Sequence, residues 1–265
     1  RSQKTVAEIN KSKDVFTSFF GSNVFGKTLN YYLVANDSKV KFKTYASFLK
    51  RNKLFYKILK NKFNDEFIEK CILTNEKILN YFNFKKKIIS KLNKSNLKLH
   101  FNREFKKKNI KNFDKIIVTT YANNNAILEN LGIKKLNEFK FELVEKILIK
   151  LPKKLKNKSF VVVDGNFVCV DPYLGTNYHL LSDVQNSKLE TKIGKFPNFK
   201  HKNKKYINKG IIKKLKVSQY KNFILRSSKY LPFLKDAKYI GSMYVVRAIM
   251  KNKEKTDERT SIIQS

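Results

Sequence analysis

From Ser159 to Ser187 the chain reads SFVVVDGNFVCVDPYLGTNYHLLSDVQNS, without one lysine or arginine. At the density of the whole chain, 58 basic residues in 265, such a stretch would carry about six, and lysine returns at once at Lys158 and Lys188. A desolvated ammonium needs a counter-charge or loses its proton. A lysine-free stretch in so basic a chain therefore marks a sheet with no room for solvated side chains. FVVV meets NFVCV across Asp164–Gly165, a hairpin signal. DPYLG (Asp171–Gly175) is a second turn, with Pro172 fixing φ and Gly175 free for φ > 0. NYHLLSDV is a third strand. The expectation is a three-stranded meander covered by a helix layer on one face and by a ligand or a second domain on the other. A plain central sheet would read the same way, but the Gly, Asp, Asn, Thr, Tyr and His mixed into the stretch favour one face lining a polar site.

Around this meander the periodicity is mixed. KTYASFLKRN from Lys43 has Tyr45, Phe48 and Leu49 at helical spacing behind Thr44 as N-cap. NEKILNYFNFKKKIISKL places Ile78, Phe82, Ile89 and Leu92 on one helix face, with Thr74 or Asn75 as cap. LKLHF (Leu97–Phe101) and KIIVTTY (Lys115–Tyr121) read as strands, and NNNAILENLG as a short helix stopped by Gly132. EFKFELVEKILIKLP alternates like a strand. SQYKNFILRSSKYLPFL reads as a helix and AKYIGSMYVVRAIM as a strand. The class expected is mixed α/β (α+β): a piece of α/β layer beside a mixed, largely antiparallel sheet.

The formal charge of +37 raises the question of nucleic acid. Only six of the basic residues are arginine (Arg1, Arg51, Arg103, Arg226, Arg247, Arg259), and the rest are lysines that come with many Asn, Ile and Phe and no Trp. That balance fits an AT-rich coding sequence better than selection for phosphate and base contacts, where the guanidinium fork is preferred. Cys71 and Cys169 are too few for a disulfide framework and read as reduced thiols of a cytoplasmic protein. No apolar run approaches a membrane span, and no signal peptide is present. The chain begins with Arg1 and stops in an apolar run, TSIIQS, as a fragment would.

Familiar catalytic motifs are absent. The eight glycines include no G-x-G, and there is no P-loop, H-E-x-x-H or G-x-S-x-G. His100, His179 and His201 are scattered, so no metal site is expected. Asp164, Asp171 and Asp183 read as two turn caps and one outward side chain. KIIVTTYANNNAIL is more informative, because a strand ending in small hydroxylated residues opens into a helix whose N–H groups can face a cofactor. Arg247 is the only arginine within an expected strand, and a guanidinium among apolar neighbours needs a carboxylate or phosphate. A structural ion pair is the alternative there.

In order and spacing, RSQKTVAEINKSKDVF, YYLVANDSKVKFKTYASFL (Tyr31–Leu49), DKIIVTTYANNNAIL (Asp114–Leu128), FELVEKILIKLP (Phe141–Pro152), VVVDGNFVCVDPYLGTNYHLLSDV (Val161–Val184) and YIGSMYVVRAIMKNKEKTDERTSII (Tyr239–Ile263) resemble the FAD-dependent oxidoreductases of the D-amino acid oxidase/glycine oxidase superfamily. The resemblance implies a Rossmann-like FAD-binding layer interleaved with a substrate domain. Residues 1–30, 75–132 and 253–265 would belong to the FAD part, and residues 31–74 and 133–252 to the substrate domain. The G-x-G-x-x-G segment of the family would lie before Arg1. Thr119, Thr120 and Tyr121 would pass near the flavin. The meander would lie over the flavin ring, which makes Tyr178 and His179 candidate substrate-binding residues. Arg247 would bind a substrate carboxylate, with Arg259 competing for that role. No catalytic residue is assigned. The expected activity is hydride transfer from a C–N or C–O bond of a small substrate to FAD. A lysine-rich nucleic-acid-binding protein and an inactive remnant of the oxidoreductase are the alternatives.

Overall fold

The computed structural model describes residues 3–60, 62–165 and 167–251. In chain order the elements are α1 (Gln3–Phe20), β1 (Phe25–Gly26), β2 (Leu29–Ala35), α2 (Phe42–Arg51), β3 (Tyr56–Leu59), β4 (Ile68–Thr74), β5 (Ile78–Leu79), α3 (Tyr81–Asn93), α4 (Asn124–Asn130), β6 (Phe139–Lys150), β7 (Lys158–Val163), β8 (Val168–Tyr173), β9 (Tyr178–Asp183), β10 (Lys188–Gly194), α5 (His201–Lys204), α6 (Tyr220–Ser227) and β11 (Lys238–Met250). The class is mixed α/β with a largely antiparallel sheet. The chain divides into two compact units. One holds Arg1–Ser95, Glu145–Ser187 and Gly210–Met243; the other holds Asn96–Val144, Lys188–Lys209 and the chain from Tyr244. β6 and β11 each contribute a part to both.

In the first unit the strand order is β6-β9-β8-β7-β2-β4-β3. Every neighbouring pair is antiparallel except β2–β7, which is parallel. The lysine-free stretch forms the expected meander, β7-β8-β9, apart from Lys158, which is the first residue of β7. Burial alternates strictly along β8 and β9. One face, carrying Phe160, Val162, Val168, Val170 and Leu181, packs with Leu33 of β2, Ile147 and Ile149 of β6, Phe223 of α6, and Leu231 and Leu234 beyond it. A lysine on that face would have to be fully desolvated. On the other face Val161, Cys169, Asp171, Tyr178, Leu180 and Ser182 are half buried while Ser159 and Val163 are covered, so the meander is sealed on one side and partly open on the other.

Several local expectations shift. Pro172 lies inside β8, paired with His179, and the turn falls after Tyr173, with Gly175 at φ +89°. Val184 N–H donates to Phe167 C=O at 3.1 Å, so alternation aims the nitrogen of Pro172 towards β7, beyond the last β7–β8 pair, Phe160 with Val170. The missing N–H therefore costs no ladder bond. α2 begins with Lys41 as N-cap and Thr44 already inside the helix. α3 starts later than expected. Ile78–Leu79 pairs with Phe25–Gly26 as a short ribbon, and Asn80, not Thr74 or Asn75, caps the helix by accepting from Asn83 N–H at 3.2 Å. The helix read over SQYKNFILRSSKYLPFL is split into α6 and a 3-10 turn, Pro232–Asp236.

In the second unit β10 pairs with the first half of β6, from Lys188 opposite Val144 to Gly194 opposite Phe139. Leu97–Phe101 and Lys115–Tyr121 are not strands; they run as irregular chain and turns. Phe101 and Ile117 are 78% and 86% exposed, so their apolar pattern meets no packing surface among the described residues. α4 forms as expected, and Gly132 ends it at φ +86° with its N–H on Glu129 C=O. Asn125 anchors the helix by donating to the carbonyls of Asn137 and Lys195, both at 2.8 Å.

Candidate functional site

The half-buried face of the first unit's sheet is where chemistry-bearing side chains collect. Strand alternation sends the residues between the core positions to this face, and register lines them up in two transverse rows. The first runs Lys146 (β6), Ser182 (β9), Cys169 (β8), Val161 (β7), Tyr32 (β2) and Ile72 (β4). The second runs Leu148, Leu180, Asp171, Ser159, Asn30 and Thr74 across the same strands. Tyr178, opposite Tyr173, lies beyond the second row on the same face.

Hydrogen bonds tie the rows. Lys146 Nζ donates to Ser182 Oγ at 3.4 Å. Ser159 Oγ donates to Asp171 Oδ1 at 2.7 Å. Tyr32 OH donates to Glu76 Oε2, and Asn30 Nδ2 to the Glu76 carbonyl. Burial raises the Asp171 carboxyl above the usual carboxylate range, partly offset by the Ser159 bond and the charge of Lys146. Burial, then the nearby Asp171 charge, pushes the Cys169 thiol up to about 12, against the pull of Lys146. That thiol is inert at neutral pH. The Tyr32 hydroxyl is raised by burial and by Glu76, so it stays a donor. The face thus offers one ammonium, one carboxyl whose pKa burial raises, and several oriented hydroxyls and amides.

Of the residues expected in the site, Tyr178 is on this face. His179 is not: it faces the core at 1% exposure, and its Nε2–H donates to Leu155 C=O at 3.0 Å. Asp183 also points inward. It is ion-paired to Arg226 and accepts from Gln185 N–H and Asn186 Nδ2, so of the three aspartates it is a turn cap. In the second unit Thr119 and Thr120 are exposed, and Thr120 Oγ1 donates to Asn124 Oδ1 at 3.0 Å. Tyr121, at φ +53°, accepts the Ala248 N–H on its hydroxyl at 3.2 Å.

Arg247 has found a carboxylate inside its own unit. Nε donates to Glu142 Oε2 at 2.8 Å and Nη2 to the same oxygen, while Lys188 and Lys140 stand 3.5 and 3.7 Å from Oε1. Glu142 is buried and the Arg247 side chain is 43% exposed. Ile249 beside it is buried and Val245 is at the surface. Arg259 lies outside the described residues. Among the described residues no group of three His, Cys, Asp or Glu could hold a metal, and no helix is long and apolar enough to cross a membrane.

Lys146, Asp171, Ser159 and Tyr32 were not singled out as binding residues from the sequence. The signal for Lys146 was present: in FELVEKILIKLP, alternation places it with Leu148 opposite Ile147 and Ile149.

No protein-family model and no curated protein sequence matches the chain. Solved structures do match its fold. Glycine oxidase from Geobacillus kaustophilus aligns over 97% of this chain and 70% of its own, with a TM-score of 0.61 at 10% identity. L-proline dehydrogenase from P. horikoshii aligns over 95% and 67%, with 0.60 at 13% identity. Iminodiacetate oxidase from Chelativorans sp. BNC1 aligns over 91% and 67%, with 0.55 at 12% identity. The fold is therefore the one these oxidases and this dehydrogenase share, and the resemblance drawn from the sequence holds at that level. The chain spans about two thirds of the length of each.

Proposed function

We propose that this chain is the greater part of a FAD-dependent oxidoreductase that oxidises a C–N or C–O bond of a small molecule. The observation that carries the reading is the match of almost the whole chain to the fold of glycine oxidase. The sheet face described above supports it. It is partly closed, it mixes apolar and polar groups, and its side chains are held by cross-strand bonds, as a wall that orients a small substrate requires.

The described residues fit the flavin in part. Thr119, Thr120 and Tyr121 are exposed at a turn into α4 and are proposed to border the cofactor. Nothing in the chain supplies a glycine-rich turn for the pyrophosphate, since no G-x-G occurs. When bound, FAD would supply the hydride acceptor. The chain's own contribution is orientation and exclusion of water. Tyr178 and the half-buried members of the two rows, Lys146, Ser182, Cys169, Leu180 and Asp171 among them, are proposed to face the substrate. Residues 31–74 and 133–252 are proposed as the substrate domain, with residues 1–30, 75–132 and 253–265 on the cofactor side, although residues 1–30 and 75–95 fall in the same compact unit as the sheet.

The test is anaerobic mixing of the flavin-loaded protein, expressed from its natural gene, with panels of small amino acids, secondary amines and 2-hydroxy acids. Bleaching of the flavin by one panel supports the reading and names the bond. A flavin-loaded protein that no C–N or C–O donor reduces overturns it.

A further inference from the structure

The lysine-free meander has one cation laid against its open face, and that cation comes from the neighbouring strand. Lys146 of β6 is half buried at the head of the first row. An ammonium has three donors. Here one is spent, on the Ser182 hydroxyl at 3.4 Å, a long contact to a neutral group. Among the described residues no carboxylate comes within 4.0 Å to form an ion pair with it. Asp171 and Cys169 both feel its charge. Asp171 spends a lone pair on Ser159, and Glu76, across the row, accepts from Tyr32. Most other described lysines are exposed to water, and of the half-buried ones Lys140 has Glu142 beside it and Lys229 lies over the Phe67 and Tyr230 rings. On a half-buried sheet face an ammonium with no described carboxylate in contact recovers its lost hydration only in part, through the more distant Asp171.

We infer that Lys146 is an anion subsite: it receives the carboxylate, or an equivalent single-charged oxyanion, of the small molecule bound on this face. That this small molecule is the substrate rests on the oxidoreductase reading; the subsite rests on the sheet face alone. Lys146 suits this role because Arg247, the arginine that the family resemblance favours, has Nε and Nη2 committed to Glu142. The anion would lie over Ser182, whose hydroxyl can turn from accepting to donating once Lys146 moves its proton donors to the ligand. Asp171 of the second row, half buried, is then left for the uncharged or cationic end. A point charge on a flexible stem takes a small carboxylate without demanding the two-pronged geometry of an arginine site.

The test uses two probes of the same shape, propionate and its neutral amide, propionamide, in calorimetric titrations of the purified protein. Wild type should bind propionate about tenfold or more tightly than propionamide, in line with a charge-assisted bond in a partly desolvated site. Lys146→Met keeps the apolar stem and should abolish the preference while leaving the weak amide binding unchanged. Lys146→Gln should do the same, and Lys146→Arg should retain most of the preference. Absence of charge preference in the wild type, or a preference that both neutral variants keep, overturns the subsite. Flavin content of the same preparations separates the two claims. Lys146-dependent propionate binding in a protein that takes up no flavin sinks the oxidoreductase reading and leaves the subsite standing. Flavin-loaded, active protein with unaltered propionate binding in Lys146→Met does the reverse.

Discussion

His179 shows how burial turns a titratable group into a structural one. Its Nε2 carries the proton because its partner, the Leu155 carbonyl, can only accept. Burial lowers its pKa below the ordinary value of 6.5. The unfolded chain therefore takes up a proton near that value while the native state resists it, so native stability is full above about pH 6.5 and falls as pH drops through it. Urea midpoints measured from about pH 8 to 5 should decline on the acid side, and His179→Gln should flatten that part of the curve. A slope that persists unchanged in the variant would assign it to other groups. Asp183 and Arg226 make a second residue-scale prediction. Asp183 is fully buried at its side chain and Arg226 nearly so. Removing one partner strands the other, so Arg226→Met should cost about 3–5 kcal/mol in denaturant unfolding. A loss under about 1 kcal/mol, the range of a surface pair, would show that the pair is hydrated.

At the scale of elements, the two turn glycines Gly175 and Gly132 separate backbone strain from crowding. Both adopt positive φ, +89° and +86°. A Cβ on Gly132 would meet open space, whereas on Gly175 it would lie 2.7 Å from the Phe82 ring. Gly132→Ala should cost about 1–2 kcal/mol, the left-handed penalty alone. Gly175→Ala should cost more, because α3 must move from the β8–β9 turn, and comparison of the two unfolding midpoints checks the difference. Equal losses would mean that Phe82 gives way freely. The meander, β6, α4 and β11 were legible in the sequence because periodicity, turn residues and burial all agree there. Leu97–Phe101 and Lys115–Tyr121 have the same alternation but stay irregular. A strand needs a neighbour for its backbone groups, and no described strand offers one to them. The start of α3 was misread for a related reason: Ile78–Leu79 pairs with Phe25–Gly26, a contact fifty residues away in sequence that local spacing cannot reveal. The open face was legible in part. Tyr178 and the polar content of the meander pointed to it, but its rows are assembled from β2, β4 and β6 by register, which emerges only from the sheet order.

For the whole molecule, the formal charge of +37 is the feature most open to misreading. Lysines occupy most elements outside the meander, and the aromatic residues largely contact one another, around Phe16, Phe20 and Phe84 of α1 and α3 and in the sheet core, where Tyr31 and Phe160 stack at 5.2 Å. Binding of generic duplex or single-stranded nucleic acid should therefore be a counterion effect, with log affinity falling steeply and linearly with log salt. Filter-binding or anisotropy titrations should find it lost by physiological ionic strength. Sub-micromolar, sequence-selective binding that survives there would return nucleic acid to first place. The proposed membership of a flavin oxidoreductase is tested most directly by cofactor stoichiometry. Protein expressed from its natural gene should be yellow, or become so with added FAD, and should release close to one FAD per chain on denaturation. A folded protein that carries no flavin and gains none on incubation with FAD would contradict the claim outright.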